Sequence, residues 1–246
     1  MKPIVLIPAR MASSRLPGKP LADIAGVSMI VRVMRQAMAA KLGPVVVAAA
    51  DREIVQAVEL AGGRAVLTPP NLPSGSDRIF AALNAVDRGF EHDIIVNLQG
   101  DLPSIEPDHL RACVECVVAT GADIGTLVAE IEEEEDADNP NVTKAVVSWD
   151  VTGARGLAHY FTRARVPSGE GPLWFHIGIY AYTRDALTRF VGLQPSPLEL
   201  RERLEQLRAL EAGMKIAVAR VDSVPISVDT PADLEKARAA IAREKP

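Results

Sequence analysis

The feature that most constrains the fold is the alternation of short apolar runs with helical patterns over the first hundred residues. The apolar runs occupy residues 4–7, 45–50, 65–67 and 94–98. Between them, apolar residues recur at helical spacing over 28–38, 53–61 and 74–86. Continuously apolar strands joined by helices are typical of right-handed βαβ units. The sequence therefore predicts an α/β fold, with a Rossmann-like, mainly parallel sheet sandwiched by helices.

The second half of the chain has a different pattern. Strand candidates lie at 124–130, 145–149, 177–182 and 216–221, and the alternation with long helices is lost. A chain of 246 residues with 48% hydrophobic composition can bury a large core in one domain. We expect a single domain over 1–246, with a smaller β-rich subdomain inserted at about 124–195.

Charge and cysteine content exclude several classes of protein. A net charge of −5 disfavours a general affinity for nucleic acid or for an anionic membrane. No stretch reaches the ~18 apolar residues that span a bilayer, and we expect a cytoplasmic protein. Cys113 and Cys116 lie among apolar residues at helical spacing, which favours a place in the core over a redox or zinc site.

The loop after the first predicted strand concentrates positive charge. Over residues 8–20 it carries Arg10, Arg15 and Lys19, two hydroxyls at Ser13 and Ser14, and several Pro and Gly residues. Cations and backbone N–H groups at the carboxyl edge of a sheet suit a polyphosphate. The loop matches neither the Walker pattern nor G-x-G-x-x-G, which disfavours the common ATPase and dinucleotide-binding classes.

Two aspartates could hold a metal ion near such a loop. The apolar strand at 94–98 runs into Gln99, Gly100 and Asp101, and Asp101 there could bind Mg²⁺ or only form a turn. In the segment 228–234, Thr230, Pro231 and Asp233 are explained as a helix N-terminus. Asp229 is not explained in this way. Two separated aspartates can bracket a complex of metal and triphosphate.

Three other segments are candidates with structural alternatives. Period-two alternation over 176–182 places His176, Gly178, Tyr180 and Tyr182 on one face, but a lone histidine in a strand is more often structural. Residues 194–208 predict one amphipathic helix after a Pro-rich entry, and its charges could be simple surface. The acidic run 132–136 predicts a solvated turn, because consecutive carboxylates diverge and repel.

Taken together, these residues resemble the 3-deoxy-manno-octulosonate (Kdo) cytidylyltransferases over nearly the whole chain. This family makes CMP-Kdo from CTP for lipopolysaccharide and has the nucleotide-diphospho-sugar transferase fold. The resemblance is carried by IPARMASSRLPGKPL (7–21), SGSDR (74–78), NLQGDLP (97–103), NPNVTK (139–144), YFTRARVP (160–167), HIGIYAY (176–182), QPSPLELRERLEQLR (194–208) and VDTPADLEKAR (228–238).

The resemblance implies a nucleotidyl transfer that requires Mg²⁺, and it implies a homodimer formed through the inserted strands. It assigns Lys19, Arg10 and Asp101 to catalysis, with Lys19 stabilising charge at the reacting phosphoryl group. The implied nucleotide-binding residues are Arg10, Ser13, Arg15, Lys19, Ser74, Arg78 and Gln99. The implied Mg²⁺ ligands are Asp101 and Asp229. The implied residues for the sugar acid are Arg163, His176, Tyr180, Glu205 and Gln206.

The sequence departs from the family pattern at two places. Leu102 stands where the family has Glu in G-D-E-P, and the segment from Pro167 to His176 is short. Transfer to a related acid, an 8-amino analogue of Kdo or sialic acid, is therefore an alternative. A protein of another class, an inactive nucleotide-sugar binder, is a further alternative that the pair Asp101 and Asp229 disfavours.

Overall fold

The computed structural model describes residues 1–243 as a mixed α/β protein. The strands are β1 (Pro3–Ala9), β2 (Asp23–Ile24), β3 (Val27–Ser28), β4 (Val45–Ala49), β5 (Ala65–Leu67), β6 (Ile94–Asn97), β7 (Ile124–Glu130), β8 (Lys144–Trp149), β9 (Arg155–Thr162), β10 (Trp174–Thr183) and β11 (Ile216–Arg220). The α-helices are α1 (Met29–Ala39), α2 (Arg52–Leu60), α3 (Gly75–Val86), α4 (Pro107–Thr120), α5 (Glu134–Asp138), α6 (Arg184–Gly192), α7 (Pro197–Glu202), α8 (Leu207–Glu211) and α9 (Pro231–Arg243).

The chain forms two compact units. The first contains residues 1–111 and the C-terminal segment from Pro225, and the second contains residues 112–224. The inserted subdomain expected at about 124–195 stays a prediction. Within residues 1–243, none of the helices combines the length and the apolar character needed to cross a membrane.

The first unit is built on parallel strands in the order β5-β4-β1-β6. Strand β1 lies between two neighbours, and Val5, Leu6 and Ile7 are fully buried. Because strands covered on both faces need apolar side chains at every position, the apolar runs predicted β1, β4 and β6 correctly. The predicted α/β class is confirmed, and the carboxyl ends of β1 and β6 meet at one edge of the sheet.

A small hairpin and the C-terminal helix complete the first unit. Strands β2 and β3 are joined by Ala25 and Gly26, both with positive φ, as a two-residue hairpin turn requires. A buried cluster links this hairpin and the start of α1 to α9. Its members are Ile24, Met29, Val228, Leu234, Ala237 and Ile241. This packing holds the segment around Asp229 next to the residues that follow the β1 loop.

The second unit is a mixed sheet in the order β10-β7-β11-β9-β8. Strands β7 and β11 are parallel, whereas the β10–β7, β11–β9 and β8–β9 pairs are antiparallel. The register of β10 against β7 shifts between Ile177 and Ala181, which marks a bulge or irregularity. Strand β9 was not predicted, because its residues 155–162 alternate between buried and exposed positions without a continuous apolar run.

Two local predictions were wrong. The single helix expected over 194–208 is two short helices, α7 and α8, separated at Arg203, which has φ +58. A residue in the left-handed region ends the helix there, and Gln206 and Leu207 turn into the core. The acidic run is solvated as expected, but part of it forms the short helix α5 instead of a turn.

The cysteine prediction is confirmed. Cys113 and Cys116 are both buried on α4 with free thiols. Burial raises the pKa of both thiols, to about 12 for Cys116, which leaves them protonated and unreactive at neutral pH.

Candidate functional site

A cavity of about 340 Å³ in the first unit is lined by all nine residues that the family resemblance implies for nucleotide and metal. The cavity lies where the loops after β1 and β6 meet the start of α9. The nine residues are Arg10, Ser13, Arg15, Lys19, Ser74, Arg78, Gln99, Asp101 and Asp229. Open α/β sheets place ligands at this edge. Folding therefore brings together groups that are more than 200 positions apart in the chain.

The loop after β1 is closed by its own backbone. Gly18 has φ +71, and its N–H donates to the carbonyl of Met11 at 3.3 Å. Glycine adopts this conformation without the steric cost that a Cβ would bring. The N–H of Met11 in turn donates to Asp51 Oδ2 at 2.7 Å. The loop is thus anchored at both ends, and a short 3₁₀ helix over Lys19–Leu21 follows it.

Gly100 lets the second loop approach the first. A Cβ built at this position would lie 2.9 Å from the carbonyl oxygen of Pro8, closer than real Cβ atoms come to backbone. The absence of a side chain therefore sets the distance between the two loops. It also fixes where the next residue, Asp101, stands relative to the β1 loop.

Lys19 is at the centre of a charged cluster. Its Nζ donates to Asp101 Oδ2 at 2.8 Å and to Asp229 Oδ1 at 3.0 Å. Arg15 also pairs with Asp229, with Nη2 at 3.1 Å from Oδ1. Burial opposes the charged ammonium, but the two carboxylates outweigh it and raise the pKa of Lys19. Lys19 therefore stays protonated throughout the physiological range.

The two aspartates fit a divalent cation that also binds phosphate. Mg²⁺ is commonly held by one or two carboxylates together with substrate phosphates and water. Oxygens of Asp101 and Asp229 already contact one shared cation, the ammonium of Lys19, so one position can be reached from both. Among residues 1–243, no three or more His, Cys, Asp or Glu side chains are grouped so that they could hold a metal ion by themselves.

The position of Asp229 is fixed by the start of α9. The hydroxyl of Thr230 donates to Asp233 Oδ2 at 2.7 Å and accepts from the N–H of Asp233 at 3.2 Å. This reciprocal pair is the predicted helix start, with Pro231 as the first helical residue. The N–H of Val228 donates to the carbonyl of Asp101 at 2.9 Å. The two aspartates are therefore tied together through the backbone.

Ser74, Arg78 and Gln99, which also line the cavity, form hydrogen bonds with neighbouring protein groups. Ser74 caps α3, and its Oγ accepts from the N–H of Asp77 at 3.1 Å. Arg78 is 2% exposed, and its guanidinium donates to Thr68 Oγ1 and to the carbonyls of Pro69 and Pro70. Burial and the charge of Arg10 lower the pKa of Arg78. Gln99 donates to Asn97 Oδ1 at 3.2 Å.

The residues assigned to the sugar acid lie in the second unit, and several are in contact. Gln206 Nε2 is 3.5 Å from His176 Nδ1, and the rings of His176 and Tyr180 are 5.6 Å apart. Burial lowers the pKa of His176 to about 3, so the ring is neutral at physiological pH. Burial, Tyr182 and Glu205 raise the pKa of Tyr180.

Arg163 is held by residues that the sequence reasoning missed. Its N–H donates to Glu202 Oε2 at 3.1 Å, and its Nε donates to the carbonyl of Glu202 at 2.9 Å. The fully buried Lys144 donates to the carbonyls of Asn139 and Arg163 at 2.6 and 3.3 Å. The sequence signal that could have revealed this contact is Lys144 at the start of the mostly apolar strand β8. A buried charge needs polar partners.

The chain is similar to known proteins over nearly its whole length. The family model of the cytidylyltransferases matches residues 4–216. A Parvibaculum lavamentivorans protein named 3-deoxy-manno-octulosonate cytidylyltransferase is 63% identical over 241 residues, covering 98% of this chain and 93% of that protein. A Methylobacterium radiotolerans protein of the same name is 58% identical over 239 residues, 97% of this chain and 96% of that one.

A solved structure is also similar over the full length. The structure of CMP:2-keto-3-deoxy-manno-octonic acid synthetase complexed with CTP superimposes with a TM-score of 0.91 at 38% identity. The match covers 99% of this chain and 100% of that one.

Proposed function

The chain belongs to the cytidylyltransferase family, and we propose that it transfers CMP from CTP to the anomeric hydroxyl of Kdo, releasing pyrophosphate. The family resemblance inferred from the sequence is confirmed by the family model and by relatives that are 63% and 58% identical to this chain. The product, CMP-Kdo, is the activated sugar for lipopolysaccharide synthesis.

The observation that carries the proposal is the cluster of Lys19, Asp101 and Asp229 inside a cavity lined by Arg10 and Arg15. A triphosphate has several negative charges and needs fixed cations around it. A catalyst of phosphoryl transfer also needs carboxylates for Mg²⁺. The cluster supplies both kinds of group within hydrogen-bond distance of each other.

The reaction is an in-line displacement at the α-phosphorus of CTP. The anomeric hydroxyl loses its proton to water as a bond forms from its oxygen to the α-phosphorus. The bond from that phosphorus to the bridging β-oxygen breaks, and pyrophosphate leaves. Arg10, Ser13 and Arg15 would bind the phosphates, and Lys19 would stabilise the charge that develops on the reacting group. No covalent enzyme intermediate is needed, so the protein contributes positioning and electrostatics.

We propose that Mg²⁺ binds through Asp101 and Asp229. Bound there with the phosphates of CTP, it would neutralise charge and polarise the reacting phosphoryl group. In the absence of substrate, Lys19 and Arg15 neutralise the same two carboxylates. Leu102, which replaces a glutamate of the family pattern, is 6% exposed and packs in the core, which suits an apolar residue.

We further propose that Arg163, His176, Tyr180, Glu205 and Gln206 serve the sugar acid, through direct contact or by holding the groups that touch it. A guanidinium can bind a carboxylate with two hydrogen bonds, which suits an ulosonic acid. Two of the nitrogens of Arg163 are held by the carbonyls of Glu202 and Pro140, which orients the planar group.

We infer a homodimer that associates through strands of the second unit, in a single domain with the β-rich segment of about 124–195 inserted. We also infer a cytoplasmic location, since CTP is made and kept there. Analytical ultracentrifugation across the assay concentrations tests the first inference, and a monomer at every concentration would overturn it. Fractionation of cells that produce a tagged chain tests the second.

The decisive experiment for the reaction measures pyrophosphate release with CTP and Mg²⁺. Three acceptors are compared: Kdo, its 8-amino analogue and sialic acid. We expect the highest kcat/KM with Kdo. Release with sialic acid alone would overturn the assignment of the acceptor. No release with any sugar acid, from protein that still binds CTP, would favour the inactive nucleotide-sugar binder.

A further inference from the structure

Thr126 has a fully buried hydroxyl that contacts His176, one of the predicted sugar-acid residues. It lies on β7, and its Oγ1 has three polar neighbours. The carbonyl oxygen of Ile179 is at 2.7 Å, that of Ile177 at 3.2 Å, and His176 Nε2 at 3.0 Å. All three belong to β10, where its register against β7 shifts. The Thr126 hydroxyl can thus hydrogen-bond to β10 carbonyls at the point where the regular β10–β7 pairing is interrupted.

The number of available protons fixes the direction of these hydrogen bonds. A hydroxyl has one hydrogen, and a carbonyl oxygen can only accept. The hydroxyl hydrogen of Thr126 must point at the two carbonyl oxygens. Otherwise, lone pairs of Thr126 Oγ1 would face lone pairs of these oxygens at 2.7 and 3.2 Å. The remaining lone pair of Thr126 Oγ1 accepts from the histidine. His176 therefore carries its proton on Nε2.

The same reasoning extends to Gln206. A neutral imidazole protonated on Nε2 has an acceptor at Nδ1. Only the amide nitrogen of Gln206 can donate to it, over the distance of 3.5 Å. The carbonyl oxygen of that amide then points away from His176. The ring cannot easily turn to the other arrangement, because Phe161 packs edge-on against it with centroids 4.7 Å apart.

We propose that Thr126, His176 and Gln206 form a hydrogen-bonded chain that orients the Gln206 amide, with its oxygen Oε1 presented to a hydroxyl of the sugar acid. Thr126 and His176 are then positioning residues, which act on the substrate through Gln206. This rests on the proposed function for the substrate, whereas the direction of the chain rests on geometry alone. An amide oxygen accepts from hydroxyl groups, which suits a polyhydroxylated acid.

The direction of the chain is tested on the whole protein without any substrate. Two-bond ¹⁵N–¹H spectra identify the protonated nitrogen of each of the four histidines, with His176 assigned from the signal that His176→Gln removes. We expect the Nε2–H form for His176 in the wild type. In Thr126→Val the acceptor of this proton is lost, and we expect a mixture of tautomers. An Nδ1–H form in the wild type would overturn the proposal.

Steady-state kinetics test the consequence for the substrate. In Thr126→Val, which keeps the shape of the side chain, we expect KM for Kdo to rise roughly tenfold because one hydrogen bond in the chain is lost. The KM for CTP should change less than twofold, and Thr126→Ser should restore most of the KM for Kdo. Thr120→Val is the matched control, since Thr120 also donates to a backbone carbonyl but lies on α4.

The outcomes separate the two proposals. An unchanged KM for Kdo in folded Thr126→Val, or equal increases in KM for Kdo and CTP, would overturn the positioning role. A wild-type enzyme that does not use Kdo would overturn the proposed acceptor, while the tautomer spectra would still decide the direction of the chain. A circular dichroism melt of each variant checks that the comparison is made on folded protein.

Discussion

Because His176 is buried, we expect the free energy of unfolding to decrease in mild acid. Burial lowers the pKa of His176 from 6.5 to about 3 in the folded protein. In the unfolded chain the ring is solvated and keeps its ordinary pKa. Between these two values the unfolded state binds a proton that the folded state does not. The stabilising contribution of neutral His176 is therefore complete above pH 6.5 and is lost progressively as the pH falls towards 3.

The size of the effect follows from the two pKa values. At pH 7 the unfolded histidine is mostly neutral, and at pH 5 it is almost fully protonated. Linkage gives a decrease of about 2 kcal/mol in the free energy of unfolding between pH 7 and pH 5 from this residue alone. The folded ring titrates so low that it stays neutral at both pH values.

Urea unfolding at pH 7 and pH 5 measures this decrease. The wild type is compared with His176→Gln, and the difference between their two pH-dependent changes isolates the histidine from the carboxylates that also titrate. We expect the wild type to lose about 2 kcal/mol more than the variant. His159→Gln, at an exposed position, is the control and should behave like the wild type. An equal pH dependence in wild type and His176→Gln would refute the reasoning.

Three further predictions concern the nucleotide site. Lys19→Met should slow pyrophosphate release by roughly 10²–10³-fold, while Lys236→Met, on the exposed face of α9, should not; an equal effect of both would contradict the assigned role. Asp101→Asn should weaken the Mg²⁺ dependence of the rate, and an undiminished rate at low Mg²⁺ would refute metal binding there. Gly100→Ala should cost about 1–3 kcal/mol in urea unfolding, because its Cβ meets the Pro8 carbonyl. Gly192→Ala, where a Cβ meets nothing within 4 Å, is the matched control and should be neutral.

Much of the parallel layer could be predicted because its signal is local. Strand β4 occupies residues 45–49 of the predicted run 45–50, and β6 occupies residues 94–97 of the predicted run 94–98. Strands buried on both faces need continuous apolar runs, and such runs are visible without any knowledge of the partners. The hairpin β2–β3 was missed because each strand has two residues, too few for a periodic pattern.

The break between α7 and α8 could not be predicted from local pattern. Residues 194–208 have helical spacing throughout, and nothing in the composition singles out Arg203 as a left-handed residue. The break is decided by packing, since it lets Leu204, Gln206 and Leu207 all become buried. Tertiary contacts of this kind override helix propensity, which amounts to only a few tenths of a kcal/mol per residue.

By itself, the sequence predicted which groups belong to the nucleotide site, from residue chemistry for the β1 loop and the two aspartates and from the family resemblance for Ser74, Arg78 and Gln99. Charge and hydrogen-bonding capacity depend on residue type alone, and all nine predicted residues line one cavity. Only the tertiary structure decided how those groups are paired. Lys19 binds both aspartates across 82 and 210 positions of chain, and the guanidinium of Arg78 donates to Thr68 Oγ1. Hydrogen bonds depend on distances of a few tenths of an ångström, and these are set by the packing of the whole unit.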